Sequence, residues 1–282
     1  MTTKIAALND IADRYDVILC DVWGVLHNGV SAFPDASAAL AGARAKGVKV
    51  VLITNSPRPS DGVIRQMDGI GVSREAYDRI VTSGDVTRKL ISAGPKQIYF
   101  MGSERELPLV EGLGVEMTDE EKAQMIVCAG FRDDETETPE MYRDLLERFA
   151  ARKVPMICAN PDLVVERGHR LIPCAGAIAT LYEEIGGQTR IAGKPHAPIY
   201  EAALAEAREL RGDFELSRVL AIGDGMPTDV RGAVSQGLDL LYISAGIHAR
   251  HYMNGDVTDE TALGAFLAEH QVAPQWWIPR LQ

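Results

Sequence analysis

Short apolar runs that end in Gly, Asn or Asp alternate with helical patterns along the whole chain. That order is what a parallel sheet demands, because each strand must be followed by a crossover, usually a helix, before the next can run the same way. The runs are DVILCDV (16–22), VKVVLIT (48–54), RIV (79–81), QIYFMG (97–102), QMIVCAG (124–130), VPMICA (154–159), RVLAIG (218–223) and LDLLYIS (238–244). Several are apolar on both faces, so the sheet is expected to be covered on both sides. The fold class is therefore α/β, a doubly wound parallel sheet.

The connecting segments read as amphipathic helices. DASAALAGARAKG should start near Asp35 and stop at Gly47, a left-handed terminator. TPEMYRDLLERFAARK offers Thr138 as cap and Pro139 at the first helical position, with Met141, Leu145, Leu146 and Phe149 on one stripe. HAPIYEAALAEAREL and TDETALGAFLAEH are two more.

Composition narrows the function classes. The 282 residues suffice for two domains or for one with an insertion, and the formal charge of -11 would repel a nucleic-acid backbone, so no nucleic acid is expected as partner. No run approaches the roughly 18 apolar residues of a membrane span, and the N-terminal stretch is broken by Asn9, Asp10, Asp13 and Arg14, unlike a signal peptide. A cytoplasmic protein without a membrane partner is expected. Cys20, Cys128, Cys158 and Cys174 lie in apolar stretches without a CxxC pair, which points to buried reduced thiols.

Taken singly, the polar residues that follow the strands are ordinary. Asp21, Thr54 and Asn55 could cap helices, Lys194 could be a solvated lysine, and Asp224 and Asp229 could serve a turn and a helix start. Jointly they say more, because in a doubly wound sheet the C-terminal ends of the strands face one crevice. A carboxylate nucleophile, a hydroxyl with an amide, an ammonium and two further carboxylates are the parts of a phosphoryl-transfer site that holds a divalent cation.

DVWGV, LITNS, GKP and GDGMPTD, in this order, resemble the four motifs of the haloacid dehalogenase superfamily, whose members are mostly magnesium-dependent phosphatases. The 139 positions between Thr54 and Lys194 leave room for the α/β cap inserted there in class II, and CANPDLVVERGHRLIPCAGAIATLYEEIGG resembles the cap exit of the NagD-like subclass IIA. The resemblance implies a Rossmann-like core at 1–83 and 178–282 with a cap at 84–177. It further implies that Asp21 attacks phosphorus to form an aspartyl phosphate, while Thr54 and Lys194 hold phosphoryl oxygens. Asn55, Ser56, Glu166, Arg167 and His169 are the implied substrate contacts. Mg2+ is expected on Asp21, the main-chain carbonyl of Trp23, Asp224 and Asp229, and the implied partner is a small phosphorylated metabolite.

Trp23 departs from the phosphatase pattern, which carries there a second aspartate that protonates the leaving oxygen and later activates water. Indole does neither, so the expectation is a phosphatase restricted in its leaving groups. Carbon–halogen hydrolysis and phosphometabolite binding without turnover stand as alternatives. His27 and His196, near the motifs, are expected to be structural or exposed. The acidic run DDETE (133–137) reads as a solvated loop, and Trp276 and Trp277 as a tail packed on the core, with a homo-oligomer contact as the alternative.

Overall fold

The computed structural model describes residues 2–167 and 170–282, and for Glu166 the backbone alone. His169 lies outside the described residues. Chain contacts divide the protein into two units, Met1–Thr54 with Ile64–Val81 and Tyr200–Gln282, and Asn55–Val63 with Thr82–Ile199.

The first unit carries a seven-stranded sheet in the order Thr3–Lys4, Trp276–Ile278, Asp239–Ile243, Val219–Gly223, Val17–Cys20, Lys49–Thr54, Arg79–Thr82. Its ladders from Thr3–Lys4 through Lys49–Thr54 are parallel. Val17, Ile18, Leu19 and Cys20 are all fully buried, as are Val50, Val51 and Leu52, so both sheet faces are covered and the strands read as unbroken apolar runs. From Val17–Cys20 the chain adds strands to one side; after the second unit it returns to Val219–Gly223 and adds strands to the other. The order reverses between those two neighbours, and a doubly wound sheet binds its ligands at such a switch.

The sheet is longer than the eight apolar runs indicate. Trp276–Ile278 is a strand paired with Asp239–Ile243, and Thr3–Lys4 pairs beyond it. The tryptophans are therefore part of the sheet and not a tail laid on it. Trp277 is buried, and the Trp276 indole N–H donates to the Tyr15 hydroxyl at 2.7 Å, which in turn donates to Asp239 at 2.7 Å.

The second unit has a five-stranded parallel sheet, ordered Thr189–Ile191, Met156–Cys158, Met125–Cys128, Gln97–Met101, Glu116–Met117. Ile126, Cys128, Met156 and Cys158 pack on one face against Leu146, Phe149, Ile178 and Tyr182. Met125, Val127 and Ile157 point to the other, against Ile91 and Leu109, the alternation a strand imposes. A hairpin, Val164–Arg167 with Arg170–Pro173, stands apart from this sheet. Helix Ala175–Glu184 and strand Thr189–Ile191 continue the same core past the expected boundary at 177.

Helix Pro34–Ala45 ends as read, with Gly47 at φ +94°. The segment after Thr138 opens as a 3-10 turn, Pro139–Tyr142, before helix Arg143–Ala151. That change of pitch turns Met141 outward, 67% exposed, while Leu146 and Phe149 stay buried. All four cysteines are free and buried, and burial pushes the Cys158 thiol up to about 12. Among the described residues no helix is long and apolar enough to cross a membrane.

Candidate active site

Asp21 follows directly on the strand Val17–Cys20, and its N–H donates to the Ile222 carbonyl at 2.8 Å, one more rung of the ladder to Val219–Gly223. That rung fixes the backbone of Asp21 beside that of Asp224, which follows Gly223. Asp21, Asp224 and Asp229 are buried, and each offers a carboxylate oxygen such that all three lie within 4.8 Å of one another. Thr54, buried, ends the next parallel strand at the same edge of the sheet.

Local structure explains how three carboxylates are packed so closely. Gly24 has φ +79°, and a Cβ there would fall 2.2 Å from Asp224 Oδ2. A Cβ on Gly246 would fall 2.1 Å from the same oxygen. Asp224 is thus held between two backbone segments that only glycine permits, and the Ile247 N–H donates to its Oδ2 at 2.8 Å. After Gly225 the chain makes one wide π-helical turn, Met226–Val230, which brings Asp229 back over the strand end. There its Oδ2 accepts the Gly225 N–H at 3.0 Å, and a Cβ on Gly223 would strike its carboxyl carbon at 2.2 Å.

Behind this cluster the Met226 N–H donates to His248 Nε2 at 3.0 Å, so His248 serves as a neutral acceptor. Burial, together with the positive surroundings of His251, His270 and Arg250, holds His248 down to about 4. The Tyr242 and Tyr252 hydroxyls share a hydrogen bond of 2.8 Å, and burial above all, with the charges of Asp224 and Asp229 adding to it, keeps the Tyr242 proton in place.

The Trp23 ring is half-buried and meets His27 edge-on, with centroids 5.0 Å apart, while a Cβ on Gly29 would lie 2.4 Å from its outer edge. His27 is fully buried; its Nδ1 accepts the Gly29 N–H at 2.9 Å and its carbonyl accepts the Gly24 N–H at 2.9 Å. Trp23 and His27 therefore pin the loop that follows Asp21. His196 is exposed.

The remaining expected residues lie in the second unit. Lys194 is buried, and the Asn55 side chain grips its backbone: Oδ1 accepts the Lys194 N–H at 2.7 Å, and Nδ2 donates to the Lys194 carbonyl at 3.1 Å. Nδ2 also donates to Asp162 at 2.8 Å, so both amide protons are engaged in holding this turn. Ser56 Oγ accepts the Arg58 N–H at 3.3 Å. Arg167 is bidentate on Asp134, at 2.7 and 3.2 Å. Glu166 contributes backbone to the hairpin strand Val164–Arg167.

Gly24, Gly246, His248 and Asp162 also shape these surroundings without belonging to the sequence motifs' expected site residues. Gly246 carried a signal, since SAG closes the strand Asp239–Ile243 as the other motifs close theirs. The others act through contacts distant in sequence.

The haloacid dehalogenase-like hydrolase family matches residues 18–116, and a HAD-hydrolase-like family matches 191–269. A solved hydrolase of the haloacid dehalogenase-like family from Brucella suis 1330 is 53% identical with a TM-score of 0.88, covering 98% of this chain and 99% of that one. The 5'-nucleotidase YutF of Bacillus subtilis is 26% identical over 271 residues, 94% of this chain and 98% of its own length. The ribonucleotide monophosphatase NagD of Escherichia coli is 26% identical over 238 residues, 82% and 88% of the two chains.

Proposed function

The chain belongs to the haloacid dehalogenase superfamily, class IIA, and from that premise we propose that it is a magnesium-dependent phosphatase of small phosphorylated metabolites. The observation that carries this reading is the buried trio Asp21, Asp224 and Asp229 at the sheet's switch point. Three carboxylates within 4.8 Å repel one another strongly unless a cation or protons intervene, and hard oxygen donors suit Mg2+. Gly24 and Gly246 keep the ground around Asp224 clear of side chains, as a cation cradle requires. The ion, when bound, would neutralise charge between nucleophile and phosphate.

Asp21 is the nucleophile. Its carboxylate oxygen forms a bond to phosphorus as the bond from phosphorus to the leaving oxygen breaks, and water then attacks the aspartyl phosphate to release phosphate and restore the carboxylate. Thr54 and Lys194 hold phosphoryl oxygens, and Asn55 sets the Lys194 backbone. Asp21, Asp224, Asp229 and the Trp23 carbonyl would hold the ion, while the Trp23 indole offers no proton to the leaving oxygen. Leaving groups that depart as stable anions are therefore the preferred ones. Attack on a carbon–halogen bond has no use for the three-carboxylate cluster, which favours phosphorus as the electrophile.

The test is phosphate release from p-nitrophenyl phosphate with Mg2+. Release that EDTA stops and Asp21→Asn abolishes supports the reading; release equal to that of the Asp21→Asn protein overturns it.

A further inference from the structure

Asn160, Pro161 and Asp162 form a short stretch of the second unit to which the reaction above gives no part. Its shape follows from its sequence. A proline steers the residue before it away from helical backbone, and an asparagine side chain readily accepts from the backbone two residues on. Here Asn160 Oδ1 accepts the Asp162 N–H at 3.1 Å, and the Asn160 carbonyl accepts from the buried Cys158 thiol at 3.3 Å. The chain therefore turns as soon as the strand Met156–Cys158 has ended.

Two glycines hold that turn in place. A Cβ on Gly176, the second residue of helix Ala175–Glu184, would lie 2.2 Å from the Pro161 carbonyl oxygen and 2.5 Å from that of Asp162. A Cβ on Gly193 would lie 2.8 Å from Pro161 Cδ and 2.5 Å from Asn55 Oδ1. Only glycine lets the backbone approach so closely, so the turn is packed directly against the residue that precedes Lys194.

The Asp162 side chain then completes a chain of three residues. Asn55 Nδ2 carries two protons, one donated to the Lys194 carbonyl at 3.1 Å and the other to Asp162 Oδ1 at 2.8 Å. A carboxylate accepts and does not donate, so it selects the nitrogen end of the amide and rejects the oxygen end. That selection turns Asn55 Oδ1 towards the Lys194 N–H, which it accepts at 2.7 Å. With the amide turned over, Nδ2 would meet the Lys194 N–H, and Oδ1 would meet two oxygens. Asn55, Asp162 and Lys194 all belong to one unit.

We propose that Asp162 is a positioning residue for phosphate binding: it fixes the Asn55 amide in the one orientation that clasps the Lys194 backbone, and so sets where the lysine presents its ammonium. The inference rests on the phosphatase reading, in which Lys194 holds a phosphoryl oxygen, and deepens it. Asp162 acts through Asn55 and takes no part in bond breaking.

The experiment uses the full-length protein with Mg2+ and inorganic phosphate as the probe. Affinity is read by calorimetry at a temperature where circular dichroism shows every variant folded, so that lost stability does not register as lost binding. Asp162→Leu, which removes the acceptor at similar volume, should weaken phosphate binding about tenfold, the effect of one charge-assisted hydrogen bond. Asp162→Ala makes the same comparison where the leucine variant does not fold. Asp162→Asn keeps a carbonyl oxygen for Asn55 Nδ2 and should stay within about threefold of the wild type. Adding Asp162→Leu to Asn55→Ala should weaken binding by less than about twofold further, because the two side chains act through one contact. Wild-type affinity in the truncated variants, equal losses in Asp162→Asn and Asp162→Leu, losses that multiply in the double variant, or a wild type that binds no phosphate overturns the inference. The phosphatase reading is decided apart from these results, by the p-nitrophenyl phosphate assay of the unmutated enzyme.

Discussion

Asn55 and Lys194 are tied reciprocally, the Asn55 amide oxygen accepting from Lys194 N at 2.7 Å and its nitrogen donating to Lys194 O at 3.1 Å. A side chain that pairs both backbone groups of one distant residue replaces the neighbouring strand those groups would otherwise need. The motif lysine is therefore positioned through its backbone by a residue adjacent to the motif threonine.

Asn55→Ala should leave the Lys194 N–H and C=O without these partners, at a cost of about 1 to 3 kcal/mol for each buried group left unmade. The melting temperature should fall, and inorganic phosphate should protect the variant less than it protects the wild type. Unchanged phosphate protection would remove Asn55 from the positioning of Lys194.

Asp21→Asn should lower turnover by at least about 10³-fold, because the amide keeps the volume but loses the attacking charge. Steady-state rates with an aryl phosphate, with circular dichroism to confirm folding, decide it. More than a few per cent of residual rate would mean another nucleophile.

Gly246→Ala should weaken Mg2+ binding about tenfold or more, since its Cβ would press on Asp224 Oδ2 at 2.1 Å and displace a hard ligand oxygen. The readout is the Mg2+ dependence of thermal stability. An unchanged midpoint would show that Asp224 is not a ligand.

Trp23→Asp should flatten the dependence of rate on leaving-group acidity, raising alkyl phosphate turnover relative to aryl by about 10²-fold, the lower end of general-acid contributions. The ring packs on His27 and against Gly29, so a loss of about 3 to 5 kcal/mol is also expected from the vacated volume. A folded variant with the wild-type ratio would place the acid elsewhere.

The His248 imidazole, held down to about 4, should be neutral at pH 7. Its folded value lies below the unfolded one, so its contribution to stability is full above about 6.5 and is lost as pH falls from there towards 4. Arg250, His251 and His270 disfavour its proton, and Asp229 weakly favours it. Thermal melts from pH 7 to 4 should fall less steeply for His248→Gln, whose amide oxygen can still accept the Met226 N–H. Parallel curves would rule this histidine out as a source of acid sensitivity.

The parts of this site that could be read from the sequence are those that close apolar runs. Asp21, Thr54 and Asp224 stand at strand ends because burial on both faces makes those strands conspicuous, and parallel pairing then aligns their C-terminal ends. Trp276–Ile278 and Thr3–Lys4 escaped because three and two residues show no period. The acidic run 133–137 is exposed at Asp133, Glu135 and Thr136, as a solvated loop requires, while the half-buried Asp134 within it faces two arginines that no local charge pattern reveals. The clearance at Gly24 and the Asn55 clasp depend on distant pairings, which no local pattern carries.

The switch point has a consequence for synthesis. Cys20 and Ile222 are ladder partners although 202 positions separate them, so at about 5 to 20 residues per second the ribosome needs roughly 10 to 40 s between the two. Throughout that interval the strand Val17–Cys20 can pair with Lys49–Thr54 on one side only. Its other side is an apolar, unpaired edge, the kind that recruits foreign strands. Asp21, the proposed nucleophile, thus follows a central strand that stays half-paired through most of synthesis, and crowded polysomes are where that strand is exposed to misassembly.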